Sequence, residues 1–320
     1  MPGLRDFRFG AESFESTRSG VLADARRAES LGFDVFLTAD HLFDHLAPIS
    51  AAMLVADQVG RLRVGTYVLC NDFRHPVIMA KEAASLDVLS EGRFELGLGA
   101  GYLPGEYEMA GIPFDGGAVR FERLTETVKI AKLAFAGETF SFDGAHYHVR
   151  DYTPYPRPVQ LPRPPVMVGG GGRRLLAFAA AEADIVSVQP ASAPDGGLRA
   201  TQLTLSSLKD KVALVRESAG DRAADLEINI FVFDAVITTN RRAAAASYLG
   251  ELAERLPFVA VDGEVTVDDL LDSPYLAFGT GDQIAEQLVR VREETGASYI
   301  GMLAHLMTAF EPVLSRLAMS

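Results

Sequence analysis

One alternation runs through this chain eight times: a short apolar run of strand length, then a longer segment with helical spacing. The apolar runs fall at 7–11, 34–38, 63–70, 93–97, 165–169, 183–188, 227–234 and 297–303. Amphipathic segments follow at 18–31, 49–59, 76–89, 118–136, 173–181, 202–219, 241–256 and 282–295, and a last one covers 307–318. Strands separated by helix-length crossovers pair in parallel and need helices over their faces. Eight such units predict a closed (β/α)8 TIM barrel, read as a single domain over 1–320, rather than an open sheet. With 48% hydrophobic residues the chain has the material for a core of that size.

Charge narrows the partners. The net formal charge of −13 argues against nucleic acid or an anionic membrane surface, and leaves a small molecule as the expected partner. An anionic ligand must then be captured by a local device. Cys70 is the only cysteine, so no internal disulfide forms, which fits a reducing cytoplasm. The start, Met1-Pro2-Gly3-Leu4-Arg5-Asp6, lacks a cationic segment leading into an apolar run. No apolar stretch approaches the roughly 20 residues that span a bilayer, so a cytoplasmic protein is expected.

Two stretches break the alternation. Between the fourth helix and the fifth strand, Thr139 to Val149 alternates around Asp143-Gly144, a hairpin signal. It is followed by Pro154, Pro156, Pro158, Pro162, Pro164 and Pro165, which read as an extended connector. The inserted hairpin is either a lid over the barrel mouth or a decoration on its outside. The second stretch, 258–276, carries no functional signal.

Chemistry in a barrel sits where strands end. Strand two ends in Asp40-His41, a carboxylate beside an imidazole that is placed to exchange a proton with a carbonyl substrate. A structural histidine is the plain alternative. His41-Leu42-Phe43-Asp44-His45 also has a zinc-helix spacing, but the segment reads as a loop running to Pro48, and no metal is expected. After strand three come Arg74, His75 and Pro76, the proline suited to a helix start and the first two either ligand contacts or structural pairs. Strand four carries Gly97, Gly99 and Gly101, which allow a flat ligand or another backbone to approach. Strand five ends in Gly169-Gly170-Gly171-Gly172-Arg173-Arg174 before a helix. Backbone N–H groups, a helix N-terminus and arginines there suit a phosphate, with a flexible turn as the plain alternative.

These segments together resemble the luciferase-like monooxygenase superfamily, within it the branch that uses the deazaflavin F420. The resemblance is carried by Ala39-Asp40-His41, by Arg74-His75-Pro76 with Leu86 to Arg93, by Leu96 to Gly101, and by Pro158 to Gly171. It implies a TIM barrel, a homodimer, and a tricyclic cofactor across the barrel mouth. Asp40 and His41 would adjoin the ring, with His41 and Asp40 as the catalytic pair. A non-proline cis peptide within Tyr67, Val68 and Leu69 would back the ring, beside Gly99, Gly101 and Tyr102. The cofactor's phosphate tail would meet Gly169, Gly170, Gly171, Gly172 and Arg173.

The chain departs from several relatives in lacking Trp, with His45 near that position, and in carrying Tyr102 where they have Glu. Neither a sugar-phosphate nor an alcohol substrate therefore carries over. The resemblance implies F420-dependent hydride transfer with a small organic molecule. An FMN-dependent monooxygenase, a non-catalytic cofactor-binding protein and a metal-dependent hydrolase are the rivals.

Overall fold

The computed structural model describes residues 4–192 and 197–317. Eight parallel strands close on themselves: β1 (Arg8–Ser13), β2 (Val35–Thr38), β3 (Arg63–Thr66), β4 (Phe94–Gly99), β5 (Val166–Gly170), β6 (Ile185–Val188), β7 (Glu227–Val232) and β8 (Ala297–Leu303). Closure is made by β1 beside β8, with Gly10 opposite Gly301, and by β3 beside β4, with Val64 opposite Phe94. This is the expected barrel.

Around it lie α1 (Arg18–Leu31), α2 (Pro48–Gln58), α3 (Pro76–Leu89), α4 (Pro104–Ala110), α5 (Gly117–Ala136), α6 (Arg173–Glu182), α7 (Leu205–Ala219), α8 (Arg241–Gly250), α9 (Gly281–Thr295) and α10 (Met307–Leu317). Local chemistry explains their ends. Thr17 caps α1 by accepting from Gly20 N–H, and Gly32 closes it in the left-handed region. Pro76 opens α3, and His75 caps it by accepting from Val77 N–H. Thr280 and Gln283 form a reciprocal capping box at α9.

Two hydrophobic cores result. The larger fills the shell between strands and helices. The smaller lies inside the barrel and consists of Val35, Leu37, Met167, Ile185 and Tyr299, with Tyr67 and Val68 packed on it. At the N-terminal end the interior is polar. Arg8 bonds Glu95 at 2.5 Å and Glu227 at 2.6 Å, and Arg63 bonds Glu95 at 2.5 Å. Chemistry is thereby left to the opposite end. The recognisable Leu86-Asp87 and Pro158-Val159-Gln160 motifs prove to be structural partners. The buried Asp87 carboxylate accepts from Val159 N–H (2.7 Å) and Gln160 N–H (3.1 Å) and so pins the proline-rich connector.

Three elements differ from the sequence expectation. Strand three breaks after Thr66 and resumes as Leu69–Cys70 beside β4. The strand expected at 227–234 ends at Val232, and Asp234–Ile237 pairs instead with Leu276–Gly279 in a separate parallel ribbon. The inserted hairpin is present, Phe140–Asp143 against His148–Tyr152, but its connection is longer than an Asp-Gly turn. The Glu126 carboxylate on α5 explains this, because it gathers the N–H groups of Ala145, His146 and Tyr147 at 2.7–3.1 Å. The hairpin is thus clamped onto α5. No helix among the described residues is long and apolar enough to cross a membrane.

Candidate active site

All eight strands deliver their C-terminal ends to one rim, and the candidate residues leave from four of them. Asp40, just past β2, is buried, and its carboxylate is fully engaged. It accepts from both Arg74 Nη atoms (2.5 and 2.9 Å) and from Cys70 N–H at 2.8 Å. Asp40 therefore fixes Arg74 and the restart of strand three, and it does not bond His41.

His41 is oriented by a residue that the sequence reading missed. Glu106 Oε1 lies 3.0 Å from His41 Nδ1 and accepts from Leu42 N–H at 2.7 Å. Nδ1 then carries a hydrogen as donor to the carboxylate, and Nε2 is the atom left to meet a ligand. Glu106 stands in the first turn of α4, and its carboxylate is only 6% exposed. The neighbouring Tyr107 hydroxyl braces this helix by donating to Asp72 (3.1 Å), and Arg123 holds Asp72 at 2.7 Å and Asp115 at 2.6 Å. The only sequence signal is Pro104 and Gly111, which mark the two ends of this short helix but do not point to Glu106.

A second missed acid is Glu12, on the last turn of the pleat in β1. It is buried without a hydrogen bond or ion pair among the described residues, and burial pushes its carboxyl up to about 8. Partial burial, and then the carboxylates of Glu106 and Glu12, push the Tyr102 phenol up to about 12, which places all three groups in one neighbourhood. His41 is also surrounded by rings. Phe43 stacks at 5.2 Å, Phe14 at 6.2 Å, and Tyr102 meets it edge-on at 5.9 Å.

The break in strand three holds a non-proline cis peptide, Tyr67–Val68, within the expected three residues. Tyr67 turns inward onto Phe231. Its hydroxyl donates to Asn229 Oδ1 (3.0 Å), lies 2.9 Å from Ser187 Oγ and accepts from Gln189 Nε2 (2.6 Å). The glycines of β4 make room for this bulge. A Cβ on Gly97 would lie 2.0 Å from Thr66 O, and one on Gly99 2.6 Å from Val68 Cγ2. At Gly101, which has φ +73, the space belongs to the Tyr107 hydroxyl, 2.1 Å from a Cβ there. The close approach read from these glycines is therefore made by protein atoms.

On the β5 side the glycines divide. Gly169 packs against Val68 and Ser187, and Gly170 against Leu175. Gly171 presses on the 189–191 backbone, where a Cβ would meet Gln189 O at 2.4 Å. Gly172 faces open space as the N-cap of α6, with no side-chain cap, and Arg173 beside it is exposed. The zinc spacing comes to nothing structurally. Residues 41–47 are irregular, α2 starts at Pro48, and His45 Nδ1 lies 3.0 Å from Leu46 O. Among the described residues no three potential ligands gather.

The family model of the luciferase-like monooxygenases matches residues 8–299. The chain belongs to this family. Among its relatives, the F420-dependent glucose-6-phosphate dehydrogenase of Kineococcus radiotolerans is 34% identical over 181 residues, 54% of this chain and 53% of the relative. That of Microbacterium testaceum is 33% identical over 174 residues, 52% and 51% of the two chains. The luciferase-like chain thus spans about half the length of the curated relatives it matches. The FMNH2-dependent dimethylsulfone monooxygenase of Pseudomonas putida is 27% identical over 248 residues, 75% of this chain and 63% of that one. In three dimensions, an F420-dependent secondary alcohol dehydrogenase holding an F420-acetone adduct shares the fold. The TM-score is 0.77 at 17% identity, with 98% and 99% of the two chains covered.

Proposed function

We propose that this chain is an F420-dependent oxidoreductase that moves a hydride between the deazaflavin and a small organic substrate. The observation that carries the reading is the Glu106–His41 pair. It is a buried carboxylate on Nδ1 of a one-fifth exposed imidazole just past the C-terminal end of β2. The residues present fit the cofactor. The bulge at Tyr67, Val68 and Leu69, with Gly99, Gly101 and Tyr102 alongside, makes a wall for a tricycle. Open space at Gly172 and the N–H groups opening α6, with Arg173, suit a phosphate. Bound deazaflavin supplies or accepts the hydride at C5.

This chain's residues supply the proton. His41 Nε2–H donates to an oxygen as negative charge develops there, and Glu106 stabilises the imidazolium that the proton leaves from or returns to. Asp40 acts at one remove by anchoring Arg74 and Cys70 N–H, which hold the ring-backing bulge. Glu12, kept protonated by burial at neutral pH, adds an uncharged donor within the mouth.

Titration of the apoprotein with F420 and separately with FMN, followed by fluorescence, tests the cofactor. Micromolar deazaflavin binding is expected, whereas FMN binding without deazaflavin binding would move the chain to the monooxygenase reading suggested by the Pseudomonas putida relative. We also place the chain in the cytoplasm as one unit over 1–320 and as a homodimer. In support of the dimer, an apolar groove of about 280 Å³ runs between α2 and α3, with Ile78 and Leu89 exposed along it as the surface a second copy would cover.

A further inference from the structure

We infer that the reacting end of the site selects a flat, uncharged, largely apolar molecule with a carbonyl-type acceptor, and rejects substrates carrying phosphate or carboxylate. This rests on the reading of the barrel mouth as the reaction site. Three rings meet His41 from three different segments: Phe14 after β1, Phe43 after β2 and Tyr102 after β4. They are 39%, 54% and 41% exposed, so large apolar surface that the fold has gathered is left facing the mouth. Phe14 and Phe43 lie within 19° and 16° of the His41 plane, which favours a planar guest stacked along the same direction.

Charge points the same way. Two arginines on this side are engaged, Arg74 on Asp40 and Arg123 on Asp72 and Asp115. The Glu106 carboxylate sits on His41 in the same neighbourhood, so an anionic group would meet that acid, with Arg74 and Arg123 already engaged elsewhere. The exposed Arg173 lies at the end of β5, where the cofactor's own phosphates are placed.

The test uses protein loaded with its cofactor, the loading being established first by the separate fluorescence titration, so that a failed cofactor assignment shows itself there. If FMN alone loads, the same panel is run on the FMN-loaded protein. Cyclohex-2-enone and acetophenone are compared with 4-carboxyacetophenone and glucose 6-phosphate by quenching of the bound cofactor. The neutral compounds should bind at least about tenfold more tightly than either anion. Phe43→Ala should weaken acetophenone binding about tenfold and leave cofactor affinity unchanged, and Phe43→Leu should recover part of the loss. Phe43 is exposed, so both variants are expected to fold. Anions binding as well as their neutral counterparts would overturn the inference. So would a loaded protein that binds none of the neutral ring compounds, or a Phe43→Ala variant that binds acetophenone as the parent does.

Discussion

Replacing Glu106 by Gln tests the proton-transfer pair while disturbing little else. The amide keeps the size of the side chain and an oxygen for Leu42 N–H, and it removes the charge 3.0 Å from His41 Nδ1. The carboxylate side chain is 6% exposed and that of His41 20%, so solvent screening is modest. A hydrogen bond between charged partners in such a setting is worth about 1.5–3 kcal/mol. The neutral amide retains part of that, so a loss of about 2 kcal/mol is expected, and at about 1.4 kcal/mol per factor of ten this slows turnover roughly 30-fold. The assay is single-turnover oxidation of the reduced deazaflavin by the neutral carbonyl probe, with cofactor affinity measured alongside. Slow turnover with cofactor binding unchanged within about threefold supports the pair, since the variant then lowers the rate constant and not the binding. Turnover equal to the parent's would refute it, and His41 would revert to a structural role.

Three further outcomes are expected. Glu12 has a folded pKa of about 8 against 4.5 for the free group, so between these values the native state holds the proton that the unfolded chain has released. Stability therefore falls as pH rises through that window, by about 3 kcal/mol at pH 7, and Glu12→Gln should remove this slope. Urea unfolding at about pH 5 and pH 8 reads it, and equal slopes for parent and variant would contradict it. A Cβ added at Gly172 meets no atom within 4 Å in the fold, so Gly172→Leu should hardly change melting while deazaflavin affinity drops about tenfold; unchanged affinity would remove the phosphate assignment from α6. Ile78→Asp, in the α2–α3 groove, should yield monomers by light scattering, and a dimer that persists would mean that the subunits meet elsewhere.

The barrel was legible because its signals are redundant. Eight parallel strands buried on both faces each leave an apolar run, and Thr17, Pro76, Thr280 and the glycines after helices mark the ends between them. The site was legible only where it follows a strand directly, as Asp40 and His41 do. Glu106 was not, because α4 has too few turns for a periodicity and its acid reaches His41 across 65 residues of sequence. Glu12 was hidden for another reason. An acid in a strand ordinarily points to water, and only closure of the barrel turns this one inward. The glycines of β4 were rightly taken to permit a close approach, but which partner approaches depended on the bulge at Tyr67–Val68, and pairwise packing of that kind leaves no spacing signature.

Transfer of a C5 deuterium tests the central claim most directly. Reduced deazaflavin labelled at C5 is mixed with the protein and the neutral carbonyl probe, and the product is weighed by mass spectrometry. Direct hydride transfer predicts one carbon-bound deuterium in the product and no oxygen atom from dioxygen. A product without the label, or one that has gained oxygen from dioxygen, would contradict the account.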